Sequence, residues 1–417
     1  MKKHKILYIY PIYLLLLTWP IFAEWIPFLK KPWWWYPLGI LFTLFWGTKY
    51  FQSKQFFCMI AYTLVIFINY MTGDMYISQY EVVISMSSGI FVIYSAPYIL
   101  FRRKRLVLSR LFFSIFVLLL IYTSVMSFIY NLQFPDVVRN DPTITGLSNI
   151  YELSYLYRLG LTKYQFAHAI PILIPPFVMA FRKENAKLLV KVFLGILIAL
   201  CILHTYVSAA TTPFLLSLIV LILCLAVQEG KMQQNKVRLT ILSLLMLPLL
   251  INEFQLFAVD ILDFLSGSEG SIHNHILELR ESIEKEQSVA DLEARQNFYQ
   301  TSLDQFFSNP FWGSNEDPGN HSIILDNLAA YGLLGFIPLI AMIYYESKRI
   351  MRYLPSYSHV YFGISSFAMF FLLTFKQVDL WLLSCFLFVV VPILILVLSS
   401  RKKVIVYRKY YKRKRRK

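Results

Sequence analysis

The sequence predicts an all-α integral membrane protein that crosses a bilayer about twelve times, with a long helical loop between its ninth and tenth spans. Composition, run length and charge segregation all point the same way. Of 417 residues, 57% are hydrophobic and only 15% charged, against about 25% charged in soluble domains. Apolar runs long enough to cross the hydrocarbon core, about 20 residues each, recur from one end of the chain to the other. The formal charge of +16 is unevenly spread.

Twelve spans are placed near 6–23, 34–49, 56–72, 82–101, 109–130, 164–181, 188–207, 211–228, 239–258, 324–345, 358–375 and 380–399. One alternate set of connections is short and basic: Met1–Lys5, Lys49–Lys54, Arg102–Arg110, Arg182–Lys191, Glu229–Arg238, Glu346–Arg352 and the tail. That tail, 401–417, holds eleven Lys or Arg. The other set is less basic and includes two long loops, 131–163 and 259–323. The positive-inside rule assigns the first set, and with it both termini, to the cytoplasm. Lys30 and Lys31 run against the rule. The first span has no small-residue cleavage pattern before Glu24 and reads as an uncleaved helix. A basic tail directly after a span suits anionic lipid, and no nucleic-acid fold accompanies it. The chain thus divides into spans 1–9 (1–258), an extracytoplasmic loop (259–323), spans 10–12 (324–400) and the basic tail (401–417).

Cys58, Cys201, Cys224 and Cys385 stand far apart inside apolar runs, so they read as packing residues, not as a disulfide framework or metal ligands. His273 and His275 have no third ligand at suitable spacing, and no metal site is expected.

A membrane protein without a soluble domain must place its chemistry in a cavity or on a loop. The loop 259–323 carries twelve of the 24 acidic residues, against Arg280, Lys285 and Arg295. Within it, Asp291–Phe307 has helical phase, opened by Ser288 and Asp291 as a capping box and ended by Asn309-Pro310. Leu292, Tyr299, Leu303 and Phe306 form one stripe, while Glu293, Asn297, Gln300 and Asp304 lie opposite. Arg295 falls within the apolar stripe and turns inward. An inward guanidinium requires an anionic partner, either a loop carboxylate or an anionic substrate such as a phosphate. In the loop 131–163, Arg158 stands just before the sixth span, within reach of a shared cavity; Arg139 and Lys163 are the other cations there.

At the tenth span, Pro318-Gly319-Asn320 makes a turn and His321-Ser322 opens a helix. Steps of about 100° per residue place Gly332 and Gly335 on one face below the histidine. Small residues there admit a neighbouring helix. His321 is left at the mouth, where the helix dipole favours an anion and a neutral imidazole. It is either an ordinary interfacial residue or a general base beside a phosphate.

The pattern His321-Ser322, nine residues, then Gly332-Leu333-Leu334-Gly335 resembles the signature of the O-antigen ligase family, which includes O-antigen and capsule repeat-unit polymerases and bacterial O-oligosaccharyltransferases. The stretch from Arg295 through Asn309-Pro310-Phe311-Trp312-Gly313 is similar to the one preceding that signature. The likeness is sharp over about 40 residues and extends loosely, by topology, to the whole chain. It departs at Ser208-Ala209-Ala210-Thr211-Thr212, where many members carry Ser-Arg; one phosphate contact is then either absent or supplied elsewhere, for example by Arg158 or Lys163. The resemblance implies an all-helical membrane glycosyltransferase of GT-C-like architecture, inverting, with neither metal nor cofactor. Its donor is a polyprenyl-diphosphate-linked oligosaccharide at the outer leaflet. It implies Arg295 and Arg158 on the diphosphate, His321 on the attacking hydroxyl, spans that cradle the lipid, and flippase and chain-length regulator proteins as partners. Polymerase is the first reading, ligase or O-oligosaccharyltransferase the second, and a transporter or flippase the third. The family reading also sets the chain in a bacterial inner membrane.

Overall fold

A computed structural model describes residues 6–19, 22, 32–72, 77–101, 106–135, 137–139, 142, 145–184, 186–208, 210–228, 234, 242, 289–314, 322–376 and 379–399. The described residues form helices and turns, without strands. The helices are α1 (Ile9–Thr18), α2 (Pro32–Trp46), α3 (Lys54–Thr72), α4 (Ile77–Leu100), α5 (Leu106–Gln133) and α6 (Ile150–Arg158). Then come α7 (Tyr164–Phe181), α8 (Leu188–Val207), α9 (Thr211–Ala226), α10 (Val289–Ser308), α11 (Ile323–Met351), α12 (His359–Phe375) and α13 (Leu380–Ser399).

Six stretches among the described residues are long and apolar enough to cross a membrane: α5, α7, α8, α11, α12 with its preceding turn, and α13. Four shorter apolar stretches, Pro37–Trp46, Lys54–Asn69, Gly89–Leu100 and Thr212–Ala226, fall on further expected spans. The span expected at 239–258 lies outside the described residues, apart from Leu242. Large apolar side chains also stand exposed along the long helices, including Leu118, Leu132, Leu188, Leu189 and Ile196. A water-soluble surface does not carry apolar patches of that extent, whereas helices apolar all round suit a bilayer. The protein is an all-helical membrane protein.

Helices α3 and α11 run antiparallel. Asn69 near the end of α3 meets Ala330 near the start of α11, while Lys54 at the start of α3 lies over Tyr345 towards the end of α11. At one end of the bundle, the two basic residues that follow α7 cap other helices. The Arg182 guanidinium donates to the carbonyls of Cys224 (2.8 Å) and Val227 (2.7 Å) at the close of α9. The Lys183 ammonium donates to Leu398 O (2.5 Å) at the close of α13. Cations at C-termini satisfy the last carbonyls and oppose the negative end of the dipole. We call this the basic end and its opposite the α10 end.

Prolines shape the interior. Pro176 cannot donate to Ile172 O four residues back, and α7 tightens to a 3-10 turn over Ile170–Leu173. The released carbonyl accepts from the Ser365 hydroxyl of α12 at 2.8 Å. In α13, Pro392 lacks the donor for Phe388, and the helix widens to a π turn over Phe386–Val390. A neighbouring helix or a local change of pitch thus absorbs each loss, as the bilayer interior demands.

Glu346–Arg352 was expected as a connecting loop, but α11 runs on to Met351. Glu346 is fully buried and ion-paired with Arg349, whose Nε donates to Oε2 at 3.0 Å. The guanidinium also stacks on Tyr98, 3.7 Å from the ring centroid. Pairing within one helical turn lets both charges stay inside the fold. All four cysteines are free, three of them buried.

Candidate functional site at the α10 end

The signature glycines do different work. α11 is broken at Gly332, which adopts φ 56° and ψ −167°, a region open essentially only to glycine. An unbroken helix would join Leu333 N–H to Ala329 O and Leu334 N–H to Ala330 O. Here the segment following α10 enters the break. Leu333 N–H donates to Pro310 O (2.9 Å), Leu334 N–H donates to Phe311 O (3.1 Å), and Ala329 O accepts from Ser314 N–H (2.8 Å). The Asn69 amide of α3 supplies the remaining donor, bonding both Ala330 O and Trp312 O at 2.8 Å. The four main-chain groups of these two lost helical bonds are all satisfied, which an apolar surrounding requires.

Approach this close depends on glycine from both sides. A Cβ on Gly332 would sit 2.4 Å from Phe311 O, and one on Gly313, at φ 82°, would sit 2.3 Å from Ala330 O. The helical phase drawn from His321 through both glycines assumed an unbroken helix, so Gly332 instead receives a loop. Gly335, past the break, faces a neighbouring helix: its added Cβ would meet Val65 of α3 at 3.3 Å.

The asparagine-proline stop ends α10 as expected, and α10 spans Val289–Ser308. Its buried side differs from the expected stripe. Ser302 and Gln305 are buried, while Leu303 is 37% exposed. Asn297, Gln300 and Asp304 face outward as the pattern required. The inward side is therefore polar at its centre. The Ser302 hydroxyl donates to Asp326 Oδ1 at 2.9 Å, across to the first turn of α11. Asp326 Oδ2 in turn accepts from Ser322 N–H (3.2 Å), and Ser322 Oγ caps Leu325 N–H (3.2 Å). A buried carboxylate thus ties the start of α11 to α10. A second tie runs from the Tyr299 hydroxyl to Phe375 O at the close of α12, at 3.3 Å.

Arg295 belongs to α10, seven residues before Ser302 and so within about 20° of it around the helix. Its side chain lies outside the described residues, as do His321, His273, His275 and Ser288. His321 immediately precedes the Ser322 cap. The backbone of Arg295 thus lies on α10, and α11 is capped by Ser322.

Arg158 was expected to reach a shared cavity. It ends α6, a helix absent from the sequence reading, and is exposed. Leu153, Leu156 and Tyr157 of α6 are buried, while Tyr151 and Tyr155 stand exposed beside Arg158 on the other side. The cation therefore belongs to the face that α6 turns away from the bundle. Lys163 sets its ammonium over the Tyr157 ring, 5.1 Å from the centroid. Arg139 closes a 3-10 turn, and its side chain lies outside the described residues. The capping signal for α6 stood in the sequence. Asn149 accepts from the N–H groups of Tyr151 and Glu152, and the Glu152 carboxylate reaches back to Ser148 N–H (2.9 Å) and its hydroxyl (2.6 Å). Those two bonds hold the Glu152 carboxyl below the ordinary carboxylate range.

Two buried histidines were not singled out by sequence reasoning. His204, near the close of α8, bonds Thr162 Oγ1 through Nε2 (3.0 Å), and Thr162 bonds Ser127 of α5 (2.9 Å). This chain of polar contacts joins α8 to α5 through the connection between α6 and α7. His168, in the first turns of α7, is completely buried. Its Nδ1 lies 3.0 Å from Tyr164 O, and the Tyr164 ring packs against it at 4.3 Å. Its Nε2 has no hydrogen-bond partner. Burial deep inside apolar runs disguises both residues as packing side chains in the sequence.

Among the described residues, no group of three or more His, Cys, Asp or Glu could hold a metal ion. Comparison of the chain with family models, curated proteins and solved structures returned no match.

Proposed function

We propose that this protein is a polymerase of surface polysaccharide, joining polyprenyl-diphosphate-linked oligosaccharide repeat units by metal-independent, inverting glycosyl transfer at the outer face of a bacterial inner membrane. The observation that carries the reading is the joint between α10 and α11. Ser302 and Asp326 fasten together the helix that bears Arg295 and the helix that follows His321 in the chain, and the Asn-Pro-Phe-Trp-Gly segment is seated in the break at Gly332. Gly332 and the Asn-Pro-Phe-Trp-Gly segment thereby share a structural role at one end of the bundle. A guanidinium there offsets the charge that develops on a leaving diphosphate, and a neutral imidazole accepts the proton of an attacking sugar hydroxyl. The apolar helices suit the polyprenyl chain, and the membrane itself is a partner.

Twelve spans with both termini in the cytoplasm belong to the same proposal. The basic end, with Arg182 and Lys183, fits the cytoplasmic side. α9 closes at that end and α11 opens at the other, which supports an odd number of crossings between them, as the span at 239–258 requires. Flippase and chain-length regulator proteins are the expected partners. Ligation of the glycan to a lipid core or a protein is the alternative outcome of the same chemistry.

The test replaces Arg295 and His321 by Ala in the native host and measures surface glycan length. A polymerase predicts single repeat units on the cell or carrier; a ligase predicts long glycan retained on the carrier lipid. Unchanged glycan from a normally inserted variant refutes both.

A further inference from the structure

α6 stands one helix length from the basic end. The chain that follows it is tied to two neighbours: Thr162 N–H donates to Ser127 Oγ of α5 (3.1 Å), and Thr162 Oγ1 lies 3.0 Å from His204 Nε2 near the close of α8. From there α7 runs 18 residues, Tyr164–Phe181, before Arg182 marks the basic end. At about 1.5 Å per residue that is about 27 Å, close to the roughly 30 Å of a hydrocarbon core. With the basic end at one boundary of that core, α6 stands at the other.

The helix is fixed there by its C-terminal turn. The Tyr122 hydroxyl of α5 donates to Leu159 O at 2.8 Å. Gly160, at φ 114°, comes so close that an added Cβ would lie 2.7 Å from the Tyr122 ring. Leu153, Leu156 and Tyr157 pack into a small core with Tyr130 and Leu161. Steps of about 100° place Tyr151 and Tyr155 within about 40° of each other, on the side opposite that core. They are 81% and 60% exposed, and Ile150 beside them is 69% exposed. Tyr122, the residue that α6 rests on, is itself exposed and opens an apolar stripe along α5 with Val125, Ile129 and Leu132. These four share one face by their spacing of three and four residues, and an exposed apolar face on a spanning helix meets lipid.

We infer that the open face of α6 is a lipid anchor: Ile150, Tyr151 and Tyr155 lie in the bilayer at the level where acyl chains meet phospholipid headgroups. The occupant is phospholipid because the stripe on α5 that continues this face already meets it. Tyrosine suits that level, having an apolar ring for the acyl chains and a hydroxyl for the hydrated headgroups. A short helix that is buried on one side and aromatic on the other is built to lie at such a boundary. Anchoring α6 also fixes the depth of Thr162, and through it the level at which α5 and α8 are joined. The inference stands apart from the glycosyl-transfer reading and survives its failure.

The experiment places a reporter by Tyr155→Trp, and separately by Tyr151→Trp, in the full-length protein in phosphatidylcholine nanodiscs. Wild type holds eight Trp, so the new ring is read as emission in excess of wild type. With acyl chains brominated near the headgroup, that excess should fall about threefold or more. Excess emission that does not fall overturns the inference. Quenching by aqueous iodide instead would mark a face open to water, as a sugar-stacking surface would be, and insensitivity to both agents would mark contact with a second copy. Because Trp itself favours membrane interfaces, a second measurement removes the native rings. Tyr151→Ala with Tyr155→Ala should raise amide exchange over 150–158 in nanodiscs about fivefold, after correction for intrinsic rates. Alanine is the better helix former, and both rings are largely exposed on the protein, so the protection lost is protection that lipid supplied. Exchange equal to wild type overturns the inference.

Discussion

Replacing Gly332 by Ala tests the joint between α10 and α11 most directly. The new methyl would lie 2.4 Å from Phe311 O and 2.6 Å from Gly313 N, both main-chain atoms that no rotamer change can move aside. If the loop stays docked, a non-glycine residue at φ 56° carries about 1–3 kcal/mol of strain before the clash is counted. If it undocks, three inter-segment main-chain bonds and the Asn69 bridge are lost, at about 0.5–1.5 kcal/mol each. Either route costs about 3 kcal/mol or more, a factor of roughly a hundred in the docked population. Hydrogen exchange read by mass spectrometry over 310–314 and 329–335 should therefore accelerate by about that factor, and the variant should melt earlier in detergent. Gly363→Ala is the control. Nothing lies within 4 Å of its added Cβ, so it should be neutral or stabilising by up to about 1 kcal/mol. Exchange in Gly332→Ala within threefold of wild type, with an unchanged melt, refutes the account of the break.

Further outcomes follow from other contacts. Ser302→Ala removes the donor to Asp326 Oδ1 and should cost about 1 kcal/mol, seen as faster exchange along α10 without loss of protection in α13. Glu346→Ala leaves the Arg349 guanidinium buried without its carboxylate and should cost about 3–5 kcal/mol; in melting experiments Glu346→Leu with Arg349→Met should recover most of the loss. Glu152 has its folded-state pKa lowered by Ser148. Its contribution is therefore present above the unfolded carboxylate range, about pH 4.3, and lost as pH falls through the lower folded value. Protection of the first turn of α6, corrected for intrinsic exchange rates, should weaken through that acidic window in wild type and show no such step in Glu152→Gln.

Much of the architecture was legible because a bilayer imposes a length and a composition on every crossing. The expected spans at 164–181, 188–207 and 380–399 agree with the helices to the residue. Connections were harder. Glu346–Arg352 looked like a loop because charges in an apolar run usually end a span, and the pairing of Glu346 with Arg349 inside one helix carries no composition signal. α6 was missed although Asn149 and Glu152 stand at capping-box spacing. For α10, apolarity pointed to Leu303, whereas the buried face centres on Ser302 because its neighbour offers Asp326. The motif glycines stood out by their spacing, but which main-chain groups they meet is decided by a loop some twenty residues earlier.

The seam between loop and broken helix is made largely of main chain, with Asn69 contributing its side-chain amide. Phe311 and Trp312 contribute carbonyl oxygens there and keep their rings half in the open. Those two positions are consequently available for other tasks: their side chains can be exchanged to suit different lipids or sugars while the fastening beneath them stays as it is. A homologue with altered aromatic residues but intact Gly313, Gly332 and Asn69 would be expected to keep this clasp and change only what it presents to its surroundings.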